Sequence, residues 1–165
     1  PAGGCLLTDP GIAGRLRTLL ARNSSPDYSD FELLKWGRHV WLDDVLVVVA
    51  RNKDENEPLL SLARPGDYIL QLKLMPGPRT LVRGKERERS HIEKAAFLTV
   101  RYSKARSLPA AKVVVRQMGR DDTDEISYVV EVSNHQENSA QENNFRGDGA
   151  RDNAWEREEE ALKEV

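Results

Sequence analysis

An α+β domain, with a mostly antiparallel sheet of four to six strands and a basic helix packed on one face, is the fold the sequence predicts. Three observations point to it. Short runs rich in β-branched residues recur at His39 to Leu42, Val45 to Ala50, Asp67 to Leu74, Thr80 to Arg83, Ala111 to Gln117 and Ile126 to Val132. Neighbouring runs are separated by turn residues, among them Asp43-Asp44 and the stiff Pro76-Gly77-Pro78. One later stretch, Ser90 to Arg106, changes to the 3.6-residue period of a helix.

Taken in order, Asp9 is placed to cap a helix that has Pro10 at its first position, where a missing N–H costs nothing. Ile12, Leu16, Leu19 and Leu20 form its apolar stripe, Arg15, Arg17 and Arg22 lie outside the stripe, and Asn23 can close it. A second short helix is expected from Asp30 through Trp36, burying Phe31, Leu34 and Trp36. Residues 1–36 thus read as the helical end of a preceding unit or a linker, and a start at Pro1 reads as a fragment of something longer. Residues 37–133 read as the core domain. Within it, the unbroken run Val45 to Ala50 suits a strand buried on both faces. Lys53 to Leu62 reads as a helix in which Pro58 is tolerable only in the first turn, with Asn52 and Asn56 as caps. Ser90 and Glu93 have the spacing of a capping box for the basic helix. On that helix Ile92, Ala95, Ala96, Thr99, Tyr102 and Ser103 face the sheet, while Lys94, Phe97, Arg101 and Lys104 form a second stripe.

Charge is the strongest functional signal. Between Arg79 and Arg116 there are eleven Lys or Arg against three Glu, a local balance of +8 in a chain whose net charge is −2. A basic tract of that size on ordered elements is the footprint expected for phosphate backbones. The expected contacts are Arg38, Arg51, Lys73, Arg79, Arg83, Lys85, Arg87, Arg89, Lys94, Arg101, Lys104 and Arg106. Cations of this kind position an RNA backbone and carry little sequence information.

Three segments in order carry a family resemblance. They are A-R-N-K-D-E-N-E-P-L ending at Leu59, D-Y-I-L-Q-L-K-L-M-P-G-P from Asp67 to Pro78, and A-A-F-L-T-V-R-Y-S-K-A-R from Ala95 to Arg106. Over roughly Gly37 to Val115 the chain resembles the RNA-binding domain of the NFACT family. Matching residues are Asn52, Asn56, Leu59, Asp67, Leu70, Lys73, Pro76, Gly77, Ala95, Ala96, Tyr102, Ser103, Lys104, Ala105 and Arg106. Gln71 and Arg79 stand where histidines are usual, and Ile69 where tryptophan is usual. The resemblance implies RNA as partner, most naturally tRNA.

Cys5, in G-G-C-L-L-T-D-P, is the single cysteine. Glycines and a nearby helix start are surroundings that lower a thiol pKa, whereas the adjacent leucines suit a small buried hydrophobe. The segment is similar to the end of the adenylating domain of tRNA thiolation enzymes, in which a cysteine carries sulfur. That likeness implies a PP-loop ATPase domain upstream and a tRNA-modifying, 2-thiouridine-forming parent enzyme. The S-G-G-x-D-S phosphate loop is absent from these residues, so this chain alone is not expected to activate uridine with ATP. No resident cofactor or metal is expected. The carboxylates Asp121, Asp122, Asp124 and Glu125 read as a solvated hairpin turn, since the Ca²⁺-loop spacing is missing.

Residues 134–165 are polar and acidic, with nine acids against four bases, and read as a disordered tail. No apolar run approaches the ~20 residues of a membrane span, and a lone cysteine excludes an internal disulfide, so a reducing, cytoplasmic setting is expected. Two other function classes remain open at this point. One is a sulfur-carrying fragment working through Cys5, and the other is a module docking on a protein or ribosome surface.

Overall fold

The computed structural model describes residues 8–85, 88–119 and 126–133. Its strands are β1 (Arg38–Leu42), β2 (Val45–Val49), β3 (Tyr68–Leu72), β4 (Thr80–Arg83), β5 (Ala110–Gln117) and β6 (Ile126–Ser133). Its α-helices are α1 (Pro10–Arg22), α2 (Tyr28–Leu33), α3 (Asn56–Leu62) and α4 (Arg89–Arg101), joined by 3₁₀ turns at Lys53–Glu55 and Lys104–Ser107. The six strands form one sheet in the order β1-β2-β4-β3-β5-β6, every neighbouring pair antiparallel. The protein is therefore α+β.

Alternation along the strands sends side chains to two cores. Val47, Val49, Leu70, Leu72, Val82, Val113 and Val115 face α4, where Ile92, Ala95, Ala96 and Val100 meet them. Small alanines at the contact let the helix lie close to the sheet. Leu46, Val48, Ile69 and Leu81 face the other way, onto Leu33 at the end of α2 and Leu59 of α3. Both faces of the central strands are thus covered, which is why Val45 to Ala50 is apolar at every position and buried throughout.

Several local expectations shift. The second helix runs Tyr28–Leu33, capped by Asp27 and Asp30 reciprocally, and it buries Leu33 and Leu34 while Phe31 stays exposed. The first helix begins as expected, with the Asp9 carboxylate accepting from Gly11 and Ile12 N–H. Its apolar stripe is less deeply used, since only Leu19 is buried and Leu20 is exposed. Arginines tie it down instead: Arg15 donates to the Leu34 and Gly37 carbonyls, and Arg22 to the Asp43 carbonyl and across the Trp41 ring. Pro58 falls in the first turn of α3, where it breaks no helical bond.

The start of α4 differs from the Ser90–Glu93 box. Glu88 is the cap residue, its N–H donating to His91 Nδ1 at 3.1 Å, while Glu93 pairs with Arg89 at 2.9 Å. The other nitrogen of the buried His91 lies 3.0 Å from Asp43 at the β1–β2 turn, and that hydrogen bond holds the Asp43 carboxyl below the usual carboxylate range. Asp43 itself sits at φ 55°, a left-handed conformation that Asp tolerates in turns. The helix also ends earlier than expected. It stops at Arg101, and Ser103 starts a new 3₁₀ turn by accepting from Ala105 N–H.

Arg83 is a correction. Alternation on β4 points it away from α4 into the second core, where its guanidinium bonds Asp67 at 2.7 Å, Asp30 at 3.0 Å and the Leu62 carbonyl at 2.8 Å. Only 6% of it is exposed, so it holds α2 to the sheet and presents nothing to RNA. Arg64 bonds Asp27 and lies 3.5 Å from Asp30 at the edge of the same cluster.

Candidate nucleic-acid interface

Register places six of the expected cations at one end of the sheet. Arg38 opens β1 opposite Val49, Val49 pairs with Thr80, and Thr80 pairs with Leu70, so Arg38, Arg51, Arg79 and Lys73 are brought to one edge. The C-terminal end of α4 is fixed over it. Thr99 and Thr80 hydroxyls bond at 2.8 Å, and the Arg38 guanidinium stacks 4.5 Å above the Tyr102 ring. Arg101 and Lys104 follow at that end.

The Pro-Gly-Pro turn is clamped from both sides. Asn56 donates to the Gly77 carbonyl at 3.2 Å and accepts from Arg79 N–H at 2.8 Å, so its side chain bridges the turn instead of capping α3. Asn52 does cap, accepting from Glu55 N–H. Gly77 is needed for close approach, because a Cβ there would come within 2.7 Å of Leu72 and 3.6 Å of Ser103. The Y-S-K segment and the turn, apart in sequence, are therefore neighbours in space.

The cations at this end are of two kinds. Arg51 is committed to the buried Glu55, with Nε and Nη2 at 2.9 and 2.5 Å from Oε1, and Arg79 reaches Glu57 at 2.7 Å. Both shape the surface more than they stand free of it. Lys73, Arg101 and Lys104, by contrast, have no carboxylate within 4 Å among the described residues, and Lys73 and Arg101 are exposed. Lys112 joins them, since the Lys73 N–H donates to its carbonyl at 2.9 Å. Sequence reasoning counted Lys112 in the basic tract without placing it. The alternation of K-V-V-V-R on β5, with Val113 and Val115 buried, was the signal that turns Lys112 outward.

The tract is not one patch. α4 has 13 residues, so Arg89 at its start lies about 18 Å along the axis from Arg101, and Lys85 follows the end of β4 opposite to the one Arg79 enters. Lys94 is exposed near the Asp43 carboxylate, and Arg89 is paired with Glu93. The single stripe expected on α4 is broken too: Phe97 packs against the core, and Lys104 belongs to the separate 3₁₀ turn. Arg106 is exposed in that turn. Arg87, Cys5, the acidic 121–125 turn and the tail lie outside the described residues. Among the described residues there is no His, Cys, Asp and Glu cluster fit for a metal, and no helix long and apolar enough to cross a membrane.

Residues 37–143 match a family model described as the NFACT protein RNA binding domain. Among solved structures, the chain is similar to the C-terminal part of the fibronectin/fibrinogen-binding protein from Streptococcus suis, at 18% identity and a TM-score of 0.49. That similarity covers 59% of this chain and 45% of the other, so the chain spans less than half of it. No curated protein matches.

Proposed function

Since the chain belongs to the family of NFACT protein RNA-binding domains, we propose that its RNA is tRNA, and that the domain serves as the substrate-recognition module of a tRNA-modifying enzyme. One observation carries the reading: Lys73, Arg101 and Lys104 stand without carboxylate partners among the described residues, on a rigid edge made by the clamped turn and the end of α4. Cations held on ordered elements lose less freedom on binding than mobile ones, and they suit a backbone of fixed shape. Structured RNA presents such a backbone.

The test is tRNA binding across a range of salt concentrations. Counterion release gives a log–log slope of about −0.7 to −0.9 per neutralised phosphate, so an Arg101→Ala, Lys104→Ala double variant should flatten it by roughly 1.5. A Lys85→Ala, Arg89→Ala pair, at the far end of α4, should leave the slope unchanged. Equal flattening by both pairs would mean a diffuse polyanion surface, and no binding at low salt would remove the reading altogether.

The modification we propose is 2-thiouridine formation, supported by the likeness of G-G-C-L-L-T-D-P to the end of adenylating domains of thiolation enzymes. In that setting Cys5 carries sulfur as a persulfide. Mass spectrometry after exposure to a persulfide donor should show one added sulfur that is lost in Cys5→Ala; a wild-type chain without the adduct counts against the sulfur-carrying role and leaves RNA recognition untouched.

A further inference from the structure

Beside the Pro-Gly-Pro turn the surface opens into an apolar cleft of about 180 Å³. Leu72 at the end of β3 lines it with Leu74 and Met75 just beyond, and Ala105 of the 3₁₀ turn, Leu108 after it and Ala111 of β5 line the other side. Leu74 is 82% exposed and Leu108 39% exposed. An exposed leucine at the rim of a concave apolar surface is apolar area that a bound group would cover. What surrounds the leucines narrows the occupant. Lys73 precedes Leu74, Lys104 and Arg106 flank Ala105, and Lys112 is itself in the lining. Among the described residues the acid in the lining is Glu131, which stands opposite Lys112 across the β5–β6 ladder. A ligand that fits must be apolar and planar in one part and anionic beside it.

We propose that the cleft receives one unstacked nucleobase of the bound RNA, with the adjoining phosphates on Lys73, Lys104 and Lys112. This rests on the RNA reading above and extends it from backbone to base. Proteins read RNA chiefly through bases that have left the helical stack, because the deep groove of a duplex admits no side chain. Leucine side chains and the polarizable thioether of Met75 offer such a base two apolar faces. Glu131 can accept a hydrogen bond from an exocyclic amino group, a contact open to adenine, cytosine or guanine and closed to uracil.

The experiment compares a short single-stranded RNA with a strand of equal length built from ribo-abasic (1′-deoxyribose) units that keep the 2′-hydroxyl, both against the full chain at fixed salt. The two strands carry the same phosphates and differ only in their bases. The proposal expects the base-bearing strand to bind about tenfold more tightly, roughly 1.4 kcal/mol. Leu74→Ala and Leu108→Ala should lose most of that preference while affinity for the abasic strand stays as it was. Leu74 is so exposed that its truncation does not threaten the fold, and the wild-type comparison needs no variant. Equal binding of the two strands by the wild type overturns the base-binding cleft, leaves backbone recognition standing, and points to an apolar side chain of a protein partner as occupant. Failure of both strands to bind at low salt under conditions where tRNA binds overturns the cleft and leaves the RNA reading standing, and failure of tRNA as well overturns both.

Discussion

Arg83 illustrates how one residue type serves opposite ends. In the chain it belongs to the same basic run as Arg79 and Lys85, and nothing within several positions marks it as different. Strand alternation decides its fate, by sending it to the face where Asp67 and the distant Asp30 wait. A partner 53 residues away cannot be read from local pattern. Burial disfavours the guanidinium charge, but the hydrogen bonds and proximity of Asp67 and Asp30 outweigh it and raise the pKa further. Removing the cation leaves two buried carboxylates uncompensated, at about 3–5 kcal/mol. Urea unfolding of Arg83→Ala should show a loss of that order; a loss below about 1 kcal/mol would mean that water or Arg64 substitutes for it. Asp27, at the rim of the cluster, is pulled up by burial, but hydrogen bonding from Asp30 N–H and the nearby Arg64 and Arg83 hold it below its ordinary value.

At the level of elements, periodicity gave the helices and strands and misjudged where they stop. All six strands lie where β-branched runs and turns put them, within about two residues. Helix ends depend on which side chain reaches which backbone group, and several candidates compete. Ser90 was a sound cap by type, yet His91 reaches the Glu88 N–H, and the cap moves. Asn56 shows the same competition, because its amide is spent on the 76–79 turn. Each of its two bonds is worth about 0.5–1.5 kcal/mol net, so Asn56→Ala should cost about 1–3 kcal/mol of stability. Amide exchange at Arg79 should quicken, and tRNA affinity should fall several-fold with an unchanged salt slope, since no charge is removed. A flattened slope would show instead that the turn's collapse carries Lys73 away.

Across the whole molecule, the sequence suggested a sheet with one covering helix, and the run from Val45 to Ala50 called for cover on both faces without showing which helices form the second layer. The reason is topological. β2 and β3 run parallel, joined through α3, and β4 and β5 run parallel, joined through α4; each connection skips one strand in the same direction along the sheet. The starting strands of the two crossovers are antiparallel, so crossovers of one handedness must lie on opposite faces. That is where α3 and α4 are found. The same length of α4 splits the basic tract into two ends, a separation that a count of charges along the chain does not register. What the charge count did supply is the set of cations, some of which are held at one end by register and by the clamped turn.

The sheet order also sets a timetable. β1 with β2, β3 with β4 and β5 with β6 are neighbours in the chain as well as in the sheet, whereas β3 must wait for β5, which returns only after α4. Joining them closes a long loop, and such closures are slow because chain entropy is lost before contacts accumulate. A chain emerging from its N-terminus can pair β1 to β4 and fill the core beneath α2 and α3 while β5 is still to come. Lys73 meets Lys112, and Gly77 meets Ser103, only when the last joint forms. The edge proposed to hold nucleic acid is thus the final part to be completed, and on that proposal an unfinished chain has no means of gripping RNA there.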